Sequence, residues 1–219
     1  MKIHPFVEAL KSLQFENCFN PYVDRCAVHD LADAPRCRAA ALSSMLDSAT
    51  HTPVDAIWIG RDLGYRGGRR TGLALTDDLH LDHHARRWSV LMERPTKGAV
   101  VAERTAAIVW GVLDQIEDRI FLWNVFPLHP HEPGEPFSNR NHNARERRTG
   151  EELLQLLIKL IQPRRVVAIG NDAASAAQRV SPTGLVVTKV RHPSYGGQSE
   201  FLSQITRLHG LTANQPALF

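Results

Sequence analysis

The sequence predicts an α/β protein, a three-layer α/β/α sandwich around a short, mostly parallel sheet. Three observations carry this. Short apolar runs recur along the chain and end in glycine or a polar residue. Segments of helical periodicity lie between them. Glycine-, arginine- or proline-rich loops follow the runs, as expected where parallel strands end.

The elements follow in order. Phe6, Leu10 and Leu13 share one helical face, and Arg36–Leu46 is rich in Ala, Leu and Arg, with Pro21 and Pro35 as interruptions. Residues 1–54 therefore read as a helical preface to a core at 55–210, all within a single domain 1–219. Ala56–Gly60 reads as a buried strand, followed by a loop at 61–72. Glu103–Ile116 is a helix with Ala106, Val109, Trp110 and Leu113 inward, and Arg119–Val125 is the second strand. A loop rich in Pro, His, Asn and Arg spans 127–148. Thr149 and Glu152 have capping-box spacing and are expected to start the next helix, with Leu153, Leu156, Leu157 and Leu160 as its stripe. Val166–Gly170 is the third strand, an Ala-rich helix follows Asn171, Leu185–Val190 is the fourth strand, and Gln198–Leu208 closes the chain as a helix. Ligands of such folds sit at the carboxyl ends of strands, here after Gly60, Leu122, Gly170 and Val190.

Composition narrows the classes. Hydrophobic residues at 43% and charged residues at 22% exclude wholesale disorder. No apolar run approaches the roughly 20 residues of a membrane span. Pro5, Glu8 and Lys11 break up the N-terminus, which lacks a signal-peptide core. Cys18, Cys26 and Cys37 are odd in number and match no common zinc spacing, so reduced thiols in a cytoplasmic protein are expected. His80, Asp82, His83 and His84 are crowded, as are His129 and His131, but no matching ligand set accompanies them; no metal or cofactor is expected. The net charge of +3 is unevenly spread. Residues 1–60 hold five Lys/Arg against seven Asp/Glu, whereas 61–70 and 139–148 each hold four Arg and one carboxylate. Two arginine clusters in loops point to phosphate.

Three loops carry residues suited to chemistry. Gly60-Arg61-Asp62-Leu63-Gly64-Tyr65-Arg66-Gly67-Gly68-Arg69-Arg70-Thr71-Gly72 has five glycines that let backbone approach a ligand, and four arginines. Asp62, its only carboxylate, can orient or deprotonate a water and stabilise a developing cation; equally, it can cap a turn or pair with Arg61. Asn124 is an amide inside an apolar strand end, able to read a base edge or to bond neighbouring backbone. His192, before Pro193 in Arg191-His192-Pro193-Ser194-Tyr195-Gly196-Gly197, can donate to an anionic leaving group or serve as a structural histidine.

Together, GRDLGYRGGRRTG, LWNVFPLHPHEPGEPFSNR and VRHPSYGG resemble the motifs of the uracil-DNA glycosylase superfamily over residues 55–208. The resemblance implies an α/β/α fold and a monofunctional DNA glycosylase that flips a nucleotide and hydrolyses its N-glycosidic bond. Asp62 maps to the water-positioning acid, His192 to the residue that stabilises the leaving base, and Asn124 to the base reader. Leu75 falls where uracil-specific relatives carry a stacking Phe. Tyr65 is a further base contact. Arg61, Arg66, Arg69, Arg70, Arg140, Arg191 and Ser194 are expected to grip phosphates, and Tyr195 to wedge into the emptied stack. Three cysteines do not suffice for the four-cysteine iron–sulfur cluster of some members. No lysine lies in these motifs, so Schiff-base chemistry is not expected. Leu75 opens the pocket toward bulkier pyrimidines, including the glucosylated hydroxymethylcytosine that some members remove from phage DNA. The alternatives are uracil repair, a non-catalytic sensor of modified bases, and a hydrolase of free nucleosides. The expected partner is DNA, with no membrane, and the expected state is a monomer.

Overall fold

The computed structural model describes residues 2–211. Met1 and residues 212–219, included in the expected domain, lie outside the described residues. The chain opens with α1 (Pro5–Lys11) and a short strand β1 (Cys18–Phe19), then α2 (Ala34–His51). Pro35 lies in the first turn of α2, where its missing N–H costs nothing, so it starts the helix instead of interrupting it. Then come β2 (Ala56–Asp62), α3 (Gly68–Thr71), α4 (Leu81–Trp88), α5 (Arg104–Leu113), β3 (Ile120–Phe126) and β4 (His129–Pro130). The chain continues with α6 (Ala144–Ile161), β5 (Arg165–Ile169), α7 (Asn171–Val180), β6 (Val186–Val190) and α8 (Gln198–His209).

The main sheet has the order β3-β2-β5-β6, and each neighbouring pair is parallel. Alternation along each strand sorts side chains to two faces. Ile57, Ile59, Phe121, Trp123, Val166 and Ala168 pack with α2, α6 and α7. Ala56, Trp58, Ile120, Leu122, Val167 and Ile169 pack with α5 and α8. These are the expected three layers. The N-terminal segment is more than a preface: Leu42, Met45 and Leu46 of α2 belong to the same buried cluster as Ile57 and Phe121. Each such fully buried side chain contributes roughly 1.5–3 kcal/mol.

Two element boundaries differ from expectation. β2 runs past Gly60 to Asp62, which is in register with Phe126 of β3, so the acid sits on a strand and not in a loop. α6 begins five residues before Thr149. Asn143 Oδ1 accepts from the N–H groups of Arg145 and Glu146 (2.9 and 3.0 Å), and Glu146 Oε2 accepts from Asn143 N at 2.7 Å. This reciprocal pair satisfies the orphan amides of the first turn, whereas Thr149 lies within the helix. β4 inside the long loop pairs with β1 in a two-stranded antiparallel sheet.

The chain crosses from β2 to β3 on one side and returns to β5 on the other. That reversal opens a crevice at the carboxyl ends of the strands. α6 lies against the strand that walls it. A Cβ on Gly150 would overlap the carbonyl oxygen of Val125 and stand 3.0 Å from its carbon, both sheet backbone. Gly150→Ala is therefore expected to push α6 off β3 and cost about 1–3 kcal/mol, a fall of several degrees in thermal unfolding. Gly111→Ala, in the last turn of α5, has no such neighbour and is expected to raise stability slightly in the same measurement.

Candidate active site

A cleft of about 380 Å³ lies at the strand ends, within the roughly 300–1,000 Å³ range of small-molecule sites. Asp62 from the end of β2, Asn124 from β3, Gly170 after β5 and His192 after β6 all line it. Leu75, Ser194, Tyr195, Arg61, Arg191 and Arg140 also reach its wall. Asp62, Asn124 and His192, widely separated in sequence, thus meet because the strands that carry them are parallel members of one sheet and end on the same side.

Asn124 is buried at the cleft floor, and its Oδ1 has no hydrogen-bond partner. Such an acceptor is costly unless a ligand supplies a donor. A Cβ at Gly60 would overlap that same oxygen and approach Leu75 Cδ2 to 3.2 Å. Gly60 thus makes room for the amide, and Leu75 forms the adjoining floor. Leu75 holds φ at 53°, with its carbonyl accepting from Trp110 Nε1 at 3.0 Å.

His192 is half-buried. Its Nδ1 accepts from Ser194 N at 3.1 Å, so in the neutral ring the proton resides on Nε2. Burial, then Arg61 and Arg191, hold its pKa below the usual imidazole value. A neutral ring donating through Nε2 suits stabilisation of a leaving anion. Across the cleft, Asp62 Oδ2 accepts from Arg61 Nε at 2.8 Å and its Oδ1 meets His142 Nδ1. Pairing of Asp62 with Arg61 and its place in the cleft hold together. Tyr195 stands 98% exposed at the tip of its loop with φ of 53°.

The structure corrects the expected phosphate grip. Arg69 and Arg70 are both buried, at 5% exposure. Arg70 donates from Nε and Nη2 to Asp78 Oδ2 (2.8 and 2.6 Å), while Arg69 lies 3.8 Å from the Phe19 ring centroid and contacts His129 Nδ1 at 3.2 Å. Carboxylate and aromatic partners take these charges inward, so neither presents a charge to the surface. Arg140 turns to Glu146, donating at 2.8 and 2.6 Å to its two oxygens. Tyr65 does not line the cleft; its N–H donates to Asn139 Oδ1 at 3.0 Å and its hydroxyl accepts from exposed Arg66 at 2.7 Å. Of the first cluster, only Arg61 and Arg66 keep guanidinium groups toward solvent. Sequence reading missed His142 and Asn139. Both lie in the arginine-rich segment 139–148, and nothing local in the sequence points to their partners. Among the described residues no group of His, Cys, Asp and Glu is arranged to hold a metal ion. Nor is any helix there long and apolar enough to cross a membrane.

Residues 56–207 match the uracil DNA glycosylase superfamily, and the chain belongs to it. It is accordingly a DNA glycosylase, a DNA-binding hydrolase of N-glycosidic bonds. Among solved structures, wild-type SMUG2 of Pedobacter heparinus is similar at 13% identity and a TM-score of 0.62, covering 94% of this chain and 95% of that one. A mimivirus UNG variant in complex with UGI is also 13% identical, with a TM-score of 0.41, over 75% of this chain and 58% of that one. No curated protein sequence matches the chain.

Two buried histidines support the loops behind the cleft. His84 meets Thr76 Oγ1 at 2.9 Å, and His129 bridges Arg69 and the carbonyl of Ser138. Burial lowers both from 6.5 to about 3, with neighbouring arginines adding to the effect. Below pH 6.5 the unfolded chain takes up protons that the folded chain refuses until about 3, so stability is full above that window and falls through it. Each histidine is expected to contribute a slope of about 1.4 kcal/mol per pH unit. Urea unfolding across this range checks it, and His84→Gln is expected to remove about one proton from the slope.

Proposed function

We propose that the protein flips a modified pyrimidine out of DNA into the cleft and hydrolyses its N-glycosidic bond, leaving an abasic site. The observation that carries the reading is the unpartnered Asn124 Oδ1, buried on the floor of a cleft that Asp62 and His192 also line. Cytosine offers its exocyclic amine to such an acceptor, and uracil its ring N–H. A water attacks C1′ and forms the new C–O bond as the C–N bond breaks, the electron pair leaving with the base. Asp62 takes the water proton and faces the cationic sugar. His192 donates to the base as it gains negative charge. Arg61, Arg66 and Arg191 hold the backbone, with Ser194 beside them, and Tyr195 fills the vacated stack.

Leu75 directs the reading toward bulky bases. Stacking of an aromatic ring on a base is worth roughly 1–3 kcal/mol, and Leu75 forgoes it. The side chain lies beside Gly60 and leaves the floor apolar. Hydroxymethylated and glucosylated cytosines, as in phage DNA, are the substrates this favours, with defence against phage as the corresponding role. Base release from matched oligonucleotides carrying uracil, hydroxymethylcytosine or its glucosylated form, read by mass, is expected to favour the modified cytosines. Release of uracil alone returns the enzyme to uracil repair. Leu75→Phe is expected to depress release of the bulky base by overfilling the floor. Asp62→Asn is expected to lower single-turnover cleavage at least about a hundredfold while DNA affinity stays near normal. Near-normal turnover removes Asp62 from the chemistry, and normal DNA binding without cleavage of any base by the intact protein supports a sensor.

A further inference from the structure

The acid on β2 is held from both sides. Asp62 Oδ2 accepts from Arg61 Nε at 2.8 Å, and Oδ1 meets Nδ1 of His142. The two side chains of the latter pair are each 7% exposed. His142 immediately precedes Asn143, the residue that caps α6. Its backbone is therefore set by the capping box, and Glu146 of that box is itself clamped by Arg140. The imidazole edge packs on Phe126 at the end of β3, with centroids 6.2 Å apart. Yet His142 does not line the cleft. Its contact is with the carboxylate of Asp62.

From this we infer that His142 is a positioning residue: its Nδ1–H fixes the plane of the Asp62 carboxylate and so aims it at the attacking water. An ionised carboxylate only accepts hydrogen bonds, so Nδ1 must carry a proton in this contact. The terminal torsion of an aspartate is broad and roughly two-fold, so one donor on each oxygen is what stops its rotation. Each oxygen keeps further lone-pair capacity for water. The other charged or titratable groups around the pair are Arg61 on β2, Asp172 on α7 at 3.5 Å from Arg61, and the Arg140–Glu146 pair beneath the loop. Glu103, His192 and Arg191 also line the cleft. None of these replaces the donor on Oδ1.

The inference rests on Asp62 as the water-positioning acid, and its test separates the two ideas. His142→Leu fills the space without a donor. His142→Asn returns an N–H near the place of Nδ1. On whichever oligonucleotide of the uracil and modified-cytosine panel the intact protein cleaves, His142→Leu is expected to lower kcat by about ten- to a hundredfold, with KM within about threefold. His142→Asn is expected to recover most of the loss. Equal losses in the two variants, or normal turnover in His142→Leu, overturn the inference, because a space-filling histidine predicts those results. If His142→Leu does not fold, His142→Asn decides: kcat within about threefold of the parent supports the role and a larger loss overturns it. Nitrogen-15 NMR of the histidine rings in the intact protein gives a second reading. A protonated Nδ1 on His142 at neutral pH and above is expected, and a bare Nδ1 overturns the inference. If the intact protein cleaves none of the panel, the substrate reading fails, while the ring spectrum still rules on His142.

Discussion

A pair of buried ion pairs holds the glycine-rich segment on which the cleft is built. Arg38 of α2, 1% exposed, grips both oxygens of Asp30 and donates from Nε to the carbonyl of Arg70 at 2.7 Å. Arg70 in turn is held by Asp78, which also accepts from Thr96 Oγ1 at 3.0 Å. Burying four charges is costly, and full hydrogen bonding is what offsets it. Removing one partner leaves an uncompensated charge inside, so the network acts as a unit. Tyr22, whose hydroxyl donates to the carbonyl of Gly72 at 2.8 Å, adds a second tie from the N-terminal region. The segment leading to Leu75 is thereby fastened to α2.

Within the cleft, one arginine serves both sides. Arg61 contacts Asp62 directly and depresses the proton affinity of His192 after burial itself. A carboxylate and a neutral imidazole can then face each other across a cleft without collapsing into an ion pair. Asp172 Oδ2 also accepts from Arg61 Nη1 at 3.5 Å. This arrangement fits a reaction in which positive charge grows on the sugar and negative charge on the base. At the floor of the same cleft, Asn124 Oδ1 is left without a hydrogen-bond partner.

The sequence by itself determined the layered α/β plan, because apolar alternation and strand-end glycines are local properties of the chain. It also put Asp62, Asn124 and His192 each near a strand end, and the resemblance of their motifs to one superfamily joined them; parallel strands bring them to one cleft. Only the tertiary structure decided where the arginines point. Arg66 and Arg70 look equivalent in one run of residues, yet one is exposed and the other buried on Asp78, because the chain turns to bring that carboxylate onto Arg70 alone. The same holds for the cap of α6, which is Asn143 instead of Thr149, with Glu146 of the capping box held by Arg140 and Cys18. It holds most of all for His142, whose partner Asp62 lies 80 residues earlier. Periodicity reports which face of an element is buried; it carries no signal for which side chain from another loop arrives there.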